Sequence, residues 1–137
     1  MKKDSTTKSK IYIEEDIINY RIEKSLNNVE DAKFLANLNS WNYCLSRLYF
    51  SSFTLIRALL LKNNINTRTH NGLRTQFNNQ FVRTGLMSID DGRFYSKLFD
   101  WKQAGDYEDF VEFDKETVFP LITEVEEFNK KILELLM

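Results

Sequence analysis

The sequence predicts an all-α fold, an antiparallel four-helix bundle with one additional short helix. The chain of 137 residues has four glycines and one proline, too few for the many turns of a β-sandwich or β-barrel. Hydrophobic residues make up 42% and charged residues 28%, a composition typical of a globular domain rather than of a disordered chain. Apolar residues recur at steps of three and four, which is the period of an amphipathic helix.

The N-terminal segment over residues 1–10 is basic and polar and lacks the apolar run of a signal peptide. We expect it to be a disordered tail, followed by a single helical domain over residues 11–137. We expect no stretch to reach the ~20 apolar residues that span a bilayer. These features predict a cytoplasmic protein without a membrane partner.

The first two helices are long. An apolar stripe runs from Ile13 to Ala36 and predicts a first helix of several turns. The stripe is then interrupted, and Ser40 is a candidate N-cap for a second helix from Trp41 to about Lys62. The second helix is apolar around more of its circumference than the first, so we place it centrally in the bundle.

The second half of the chain predicts one short helix and two longer ones. Thr69 is a candidate cap of the short helix, and Gly85 lies where a helix-ending residue is expected. Ser88 and the acids after it are typical of the start of the fourth helix. The last helix begins at Asp114 or Thr117 and continues to the C-terminus. All loops are short, so consecutive helices should pack antiparallel.

Several classes of chemistry are not predicted. The net charge of −1 supplies no basic field of the kind that non-specific nucleic-acid binders use. A dinuclear iron bundle needs paired Glu-x-x-His motifs, whereas this chain has one histidine, so we predict neither a metal nor a cofactor. Cys44 has no disulfide partner in the chain and is interpreted as a buried apolar filler.

A first polar cluster surrounds the single histidine, in residues 67–74. His70 lies one turn into the short helix between Arg68 and Arg74, an arrangement that can hold a phosphate or take part in acid–base chemistry. The alternative is structural: Thr69 caps the helix, His70 packs at the surface and the arginines are solvated.

A second polar cluster lies at the end of the fourth helix, in residues 101–107. Lys102, Asp106 and Tyr107 fall within two helical turns of one another. In the structural alternative Lys102 faces solvent, Asp106 caps the turn and Tyr107 packs its ring on the bundle.

Four sequence blocks, in this order and spacing, resemble one branch of the HEPN (higher eukaryote and prokaryote nucleotide-binding) family. The blocks are residues 43–53, a Thr-His-x-Gly-aliphatic block at 69–73, a Phe-x-x-x-Phe-Val-x-Thr-Gly block at 77–85, and a block similar to Arg-x-x-x-Asp-Tyr at 102–107. The resemblance extends over about residues 14–136 and implies an HEPN-like bundle.

Many HEPN proteins are metal-independent RNases with an Arg-x(4–6)-His motif late in the bundle. This sequence has Lys102 in place of the late arginine, and no histidine follows it. A lysine binds phosphate as a point charge but lacks the guanidinium fork. The usual RNase motif is therefore absent, and we assign no catalytic residue.

Other members of this branch work beside a small nucleotidyltransferase. The resemblance implies a non-catalytic, nucleotide- or RNA-associated binding or regulatory module of toxin–antitoxin or substrate-binding type. It also implies a homodimer, for which Phe99 and Phe110 are candidate exposed interface aromatics. The alternatives are a degenerate HEPN endoribonuclease and a stand-alone protein-interaction bundle. We expect the ligand-binding residues to gather in one groove or at the dimer seam: Arg68, His70, Arg74, Lys102, Asp106 and Tyr107.

Overall fold

The computed structural model describes the backbone from residue 2 to residue 137 and the side chains from residue 13 onward. The chain is 81% helical, and the described residues include no strand. The all-α prediction is therefore confirmed. The helices are α1 (Lys2–Asn37), α2 (Trp41–Lys62), α3 (His70–Phe77), α4 (Ile89–Tyr107) and α5 (Lys115–Leu136), and a π-helical turn over Asn78–Val82 continues α3.

The backbone of α1 extends back through residues 2–10, for which the sequence analysis predicted a disordered tail. The side chains of that segment lie outside the described residues. That this segment is disordered in solution remains a prediction.

Helix α2 forms the centre of the bundle and packs against α1, α4 and α5. Twelve of its 22 residues are buried, as its wide apolar circumference predicted. By length and composition α2 also qualifies as a helix that could cross a membrane, contrary to our expectation that no stretch would. However, 67% of its apolar window is buried inside the bundle, which is typical of the core helix of a globular domain.

A layer of buried hydrogen bonds sets the register of α1, α2 and α5. The Ser51 hydroxyl donates to the Ser25 carbonyl oxygen at 2.7 Å, which joins α2 to α1. Asn129 on α5 accepts from the Ser52 hydroxyl and donates to the Ser51 hydroxyl, both at 2.9 Å. A shift of any of these helices along its axis would leave buried polar atoms without partners, which costs more than the bonds contribute.

The helix starts follow the predicted caps in three cases of four. The side chains of Thr69, Ser88 and Asp114 each accept a hydrogen bond from a backbone N–H in the first turn of α3, α4 and α5. Ser40 occupies the N-cap position of α2 as predicted, but its side chain makes no capping hydrogen bond. The cap at Thr69 fixes where α3 begins and makes His70 its first residue, so the prediction that His70 lies one turn into the helix is wrong.

Candidate functional site

The two predicted polar clusters meet on the aromatic face of α2. Tyr49 and Phe50 lie on one turn of α2 and Phe53 on the next, and the three rings contact one another. They face the start of α3 and the C-terminal half of α4. His70 arrives from α3 and Lys102 from α4. Both contact the rings of Tyr49 and Phe50, so α2 is the element that joins residues distant in the sequence.

The imidazole of His70 is held by stacking and by one short hydrogen bond. Its ring lies 4.3 Å from the ring of Phe53, centroid to centroid, at an interplanar angle of 17°. Nδ1 lies 2.7 Å from the hydroxyl oxygen of Tyr49. The Tyr49 oxygen in turn accepts a hydrogen bond from the buried Tyr95 hydroxyl at 3.3 Å. These contacts leave the ring little rotational freedom.

The direction of this chain of hydrogen bonds assigns the tautomer of His70. Burial raises the pKa of Tyr49 to about 12, so its hydroxyl keeps its proton at neutral pH. Because Tyr49 accepts from Tyr95, its own proton is free for a hydrogen bond to Nδ1 of His70, and we assign this direction because it gives both hydroxyl protons an acceptor. A neutral imidazole with Nδ1 as acceptor carries its proton on Nε2.

The electrostatic surroundings keep His70 neutral. Burial lowers the pKa of its imidazole, and the positive charges of Lys102 and Arg57 lower it further. At neutral pH His70 therefore offers one N–H donor at Nε2 and adds no charge to the site.

Lys102 is a buried cation inside an aromatic enclosure. Its side chain is 6% exposed, and Nζ lies 3.1 Å from a carboxylate oxygen of Asp106 one turn later on α4. Nζ also lies 4.9 Å from the ring centroid of Phe50 and 5.2 Å from that of Tyr107. A buried ammonium group requires such partners, because losing water without them would be very costly. The structural alternative, a solvent-facing Lys102, is wrong.

We call this arrangement the His70–Lys102 cluster: His70, Lys102 and Asp106 with the rings of Tyr49 and Phe50. Asp106 also lies within reach of the Ser46 hydroxyl at 3.4 Å, which ties the end of α4 to α2. The carboxylate of Asp106 thus contacts both the Lys102 ammonium group and the Ser46 hydroxyl. Tyr107 covers Lys102 with its ring while the residue as a whole is 74% exposed.

The two predicted arginines lie apart from the cluster. The guanidinium of Arg74 lies 4.6 Å from the ring centroid of Phe99 and pairs with Asp100 at 3.4 Å. Phe99 in turn is 6.3 Å from His70, centroid to centroid, so Arg74 borders the cluster through this ring. Arg68 is exposed before α3 and forms no ion pair with any described residue.

Sequence reasoning missed the residues that connect the site. Tyr49 and Tyr95 have the spacing of core aromatics, and nothing in their local sequence marks them as hydrogen-bond partners of a histidine. Phe99 was expected to be an exposed interface residue and is 7% exposed, whereas Phe110 is fully exposed as expected. A surface cavity of about 500 Å³ lies between the π-helical turn and α4 and does not include His70 or Lys102.

Comparison with known proteins agrees with this architecture. The HEPN domain family matches residues 18–135 of the chain. A "UPF0332 protein" of Thermotoga maritima is 33% identical over 122 residues, which cover 89% of this chain and 92% of that protein. A "UPF0332 protein" of Archaeoglobus fulgidus is 28% identical over 116 residues, or 85% and 92% of the two chains.

A third relative has a name that refers to function. The protein of Methanocaldococcus jannaschii named "Putative toxin MJ0142" is 30% identical over 95 residues, which cover 69% of this chain and 65% of that protein. The family match covers nearly all of the described helical bundle, including both polar clusters. The chain therefore belongs to the HEPN domain family.

Proposed function

We propose that this chain is a non-catalytic module that binds a nucleotide or RNA phosphate at the His70–Lys102 cluster. The observation that carries the proposal is the convergence of a neutral histidine donor and a buried lysine on the same two rings of α2. Neither polar group is needed to build a helical bundle, whose core is stabilised by apolar packing. A phosphate oxygen could accept from Nε2 of His70 while a base stacks on the exposed ring of Tyr107.

Binding fits the cluster better than general-base catalysis. Nε2 of His70 carries a proton, so it donates a hydrogen bond and does not accept a proton from a ribose hydroxyl. The charge of Lys102 is already paired with Asp106 at 3.1 Å. The late histidine of the RNase motif has no counterpart in the sequence.

The cellular setting is part of the same proposal. The Methanocaldococcus relative named as a toxin supports a toxin–antitoxin context. We place the module in the cytoplasm, as a homodimer beside a small nucleotidyltransferase. Exposed aromatic side chains at one end of the bundle support an interface there, because isolated soluble domains seldom expose several large rings together. These residues are Tyr43, Tyr107 and Phe110.

Titration calorimetry with adenosine triphosphate and with a short single-stranded RNA tests the proposal. We expect one of these ligands to bind the unmodified protein, and His70→Phe to weaken binding about tenfold by removing one charge-assisted hydrogen bond. Phenylalanine keeps the stacking on Phe53. Thr75→Ala, an exposed change on the same helix, is the matched control and should bind normally.

The same samples test the alternative of a degenerate endoribonuclease. The proposal predicts that the RNA stays intact when incubated with the protein in chelator. Cleavage that disappears in His70→Phe and persists in Thr75→Ala would establish the RNase alternative. Absence of binding by both ligands would contradict the proposed function.

A further inference from the structure

Two arginines lie side by side where α1 crosses the C-terminal half of α2. Nη1 of Arg21 donates a hydrogen bond to the backbone carbonyl oxygen of Arg57 at 3.2 Å, and both residues line one surface cavity of about 130 Å³. The backbone that enters α3 forms the opposite wall and contributes Asn66 and Thr67. The wall therefore adds an amide and a hydroxyl, both able to donate hydrogen bonds.

The positive charge in this cavity is not neutralised by the described part of the chain. None of the residues lining the cavity is acidic. Neither Arg21 nor Arg57 forms an ion pair with a described carboxylate, although other cations of the bundle do. Burial lowers the pKa of the Arg21 guanidinium, and the charge of Arg57 lowers it further. Two neighbouring guanidinium groups repel each other, and an anion bound between them would replace that repulsion with attraction.

The cavity adjoins the His70–Lys102 cluster through one aromatic ring. The guanidinium carbon of Arg57 lies 5.7 Å from the ring centroid of Phe53, and the imidazole of His70 stacks on that ring at 4.3 Å. Arg57 is also close enough to His70 for its charge to lower the pKa of the imidazole. Cationic and hydrogen-bond-donating side chains therefore extend from the cluster to the cavity, and the half-buried ring of Phe53 lies between the two.

We propose that Arg21 and Arg57, with Asn66 and Thr67, form a second phosphate subsite for the ligand bound at the His70–Lys102 cluster. The inference rests on the proposed function, because it assigns that ligand a further phosphate. Guanidinium groups suit the task, since their planar forks can each donate two parallel hydrogen bonds to a phosphate. The phosphate is either the terminal group of a nucleotide or a diester of single-stranded RNA.

Inorganic phosphate tests the subsite itself in the unmodified, ¹⁵N-labelled protein. We expect the side-chain Nε–Hε signals of Arg21 and Arg57 to shift with saturation as phosphate is added, whereas that of the exposed Arg83 should not. Signals of Arg21 and Arg57 that do not saturate, or that move no more than that of Arg83, would overturn the inference. No substitution is involved, so folding defects cannot confuse the result.

The same signals distinguish the two sources of phosphate. Saturation at lower concentrations of an RNA octamer than of adenosine triphosphate assigns a diester, and the reverse order assigns a nucleotide. We expect Arg57→Gln to weaken the better ligand about tenfold and Arg83→Gln to leave it unchanged. If the better ligand shifts the His70 signals and leaves those of Arg21 and Arg57 in place, the subsite is wrong and the proposed function stands. If it shifts neither set, the proposed function fails as well.

Discussion

The hydroxyl oxygen of Tyr49 and Nδ1 of His70 lie 2.7 Å apart in a hydrogen bond, and with Tyr49 assigned as its donor this bond determines what His70 can do. It leaves the imidazole proton on Nε2, so His70 presents a donor. It also links the only histidine of the chain to the centre of the bundle, because the Tyr49 oxygen accepts from the buried Tyr95 hydroxyl. The chemistry of the site therefore depends on a core residue of α2.

Removing the Tyr49 hydroxyl should destabilise the protein. Tyr49→Phe leaves Nδ1 of His70 and the hydroxyl of Tyr95 without their partner, at a cost of about 1–3 kcal/mol in the free energy of unfolding. Tyr95→Phe removes only the longer bond and should cost less. In the double variant no tyrosine hydroxyl remains unpaired, so its cost should be smaller than the sum of the two. Urea denaturation measures all three, and a larger cost for Tyr95→Phe than for Tyr49→Phe would contradict the assigned chain.

Stability should fall when the protein is acidified through the range of histidine. The pKa of folded His70 lies below its ordinary value of 6.5, chiefly because the ring is partly buried. As the pH drops below 6.5 the unfolded chain takes up the proton first. The stabilisation is therefore complete above that pH and is lost as the pH falls toward the folded pKa.

The measurement is the free energy of unfolding at about pH 7.5 and about pH 5.5, on either side of the histidine range. Since the chain has one histidine, His70→Phe should remove most of the difference between the two conditions. The hydrogen bonds from Thr117 lower the pKa of Asp114 below its ordinary 3.8, so that group titrates outside this interval. An equal pH dependence in His70→Phe would show that His70 is not its source.

The two partners of the buried ion pair should respond unequally to substitution. Asp106→Asn leaves the ammonium group of Lys102, 6% exposed, without its counter-charge and should cost about 2 kcal/mol. Lys102→Met removes the buried charge and keeps the apolar stem, and Asp106 can be hydrated because a quarter of its side chain is exposed, 25%. We expect Lys102→Met to cost less than Asp106→Asn in urea denaturation. The opposite order would indicate that Lys102 is stabilised mainly by the aromatic rings.

Asn42 should control the connection between α4 and α5. Its amide nitrogen donates to the carbonyl oxygens of Gly105 and Val111 at 3.3 and 2.8 Å, and its amide oxygen accepts from the N–H of Phe113 at 2.8 Å. Asn42→Ala removes all three bonds and should accelerate hydrogen exchange of the amides in residues 106–113. The exposed Asn79→Ala is the control. Unchanged exchange in Asn42→Ala would contradict this role.

The helices and most of their caps could be predicted because both depend on local spacing. An apolar stripe of period 3.6 indicates a helix. Thr69 and Ser88 can be recognised as caps because a cap bonds only to backbone groups two or three residues further along the chain. For Lys102 the sequence leaves open whether the side chain faces solvent or belongs to a binding site. Its burial depends on rings contributed by α2, which local sequence does not show.

The candidate site could be predicted only in part for the same reason. The two polar clusters can be recognised in the sequence, but their meeting point at Tyr49 and Phe50 follows from how α2, α3 and α4 cross. The pairing of Arg21 with Arg57 joins residues 36 positions apart on different helices. The local sequence around either arginine does not point to the other, so only packing shows that they share a cavity.

The most direct test of the central claim is the ¹⁵N spectrum of the histidine side chain in the presence and absence of ligand. The chain has one histidine, so both ring-nitrogen signals belong to His70, and their couplings to the ring C–H protons distinguish Nε2 from Nδ1. The account predicts a neutral ring protonated at Nε2 at pH 7, and a saturable shift of the Nε2–H signal when adenosine triphosphate or single-stranded RNA is added. A ring protonated at Nδ1, or an Nε2–H signal that does not move with either ligand, would contradict it.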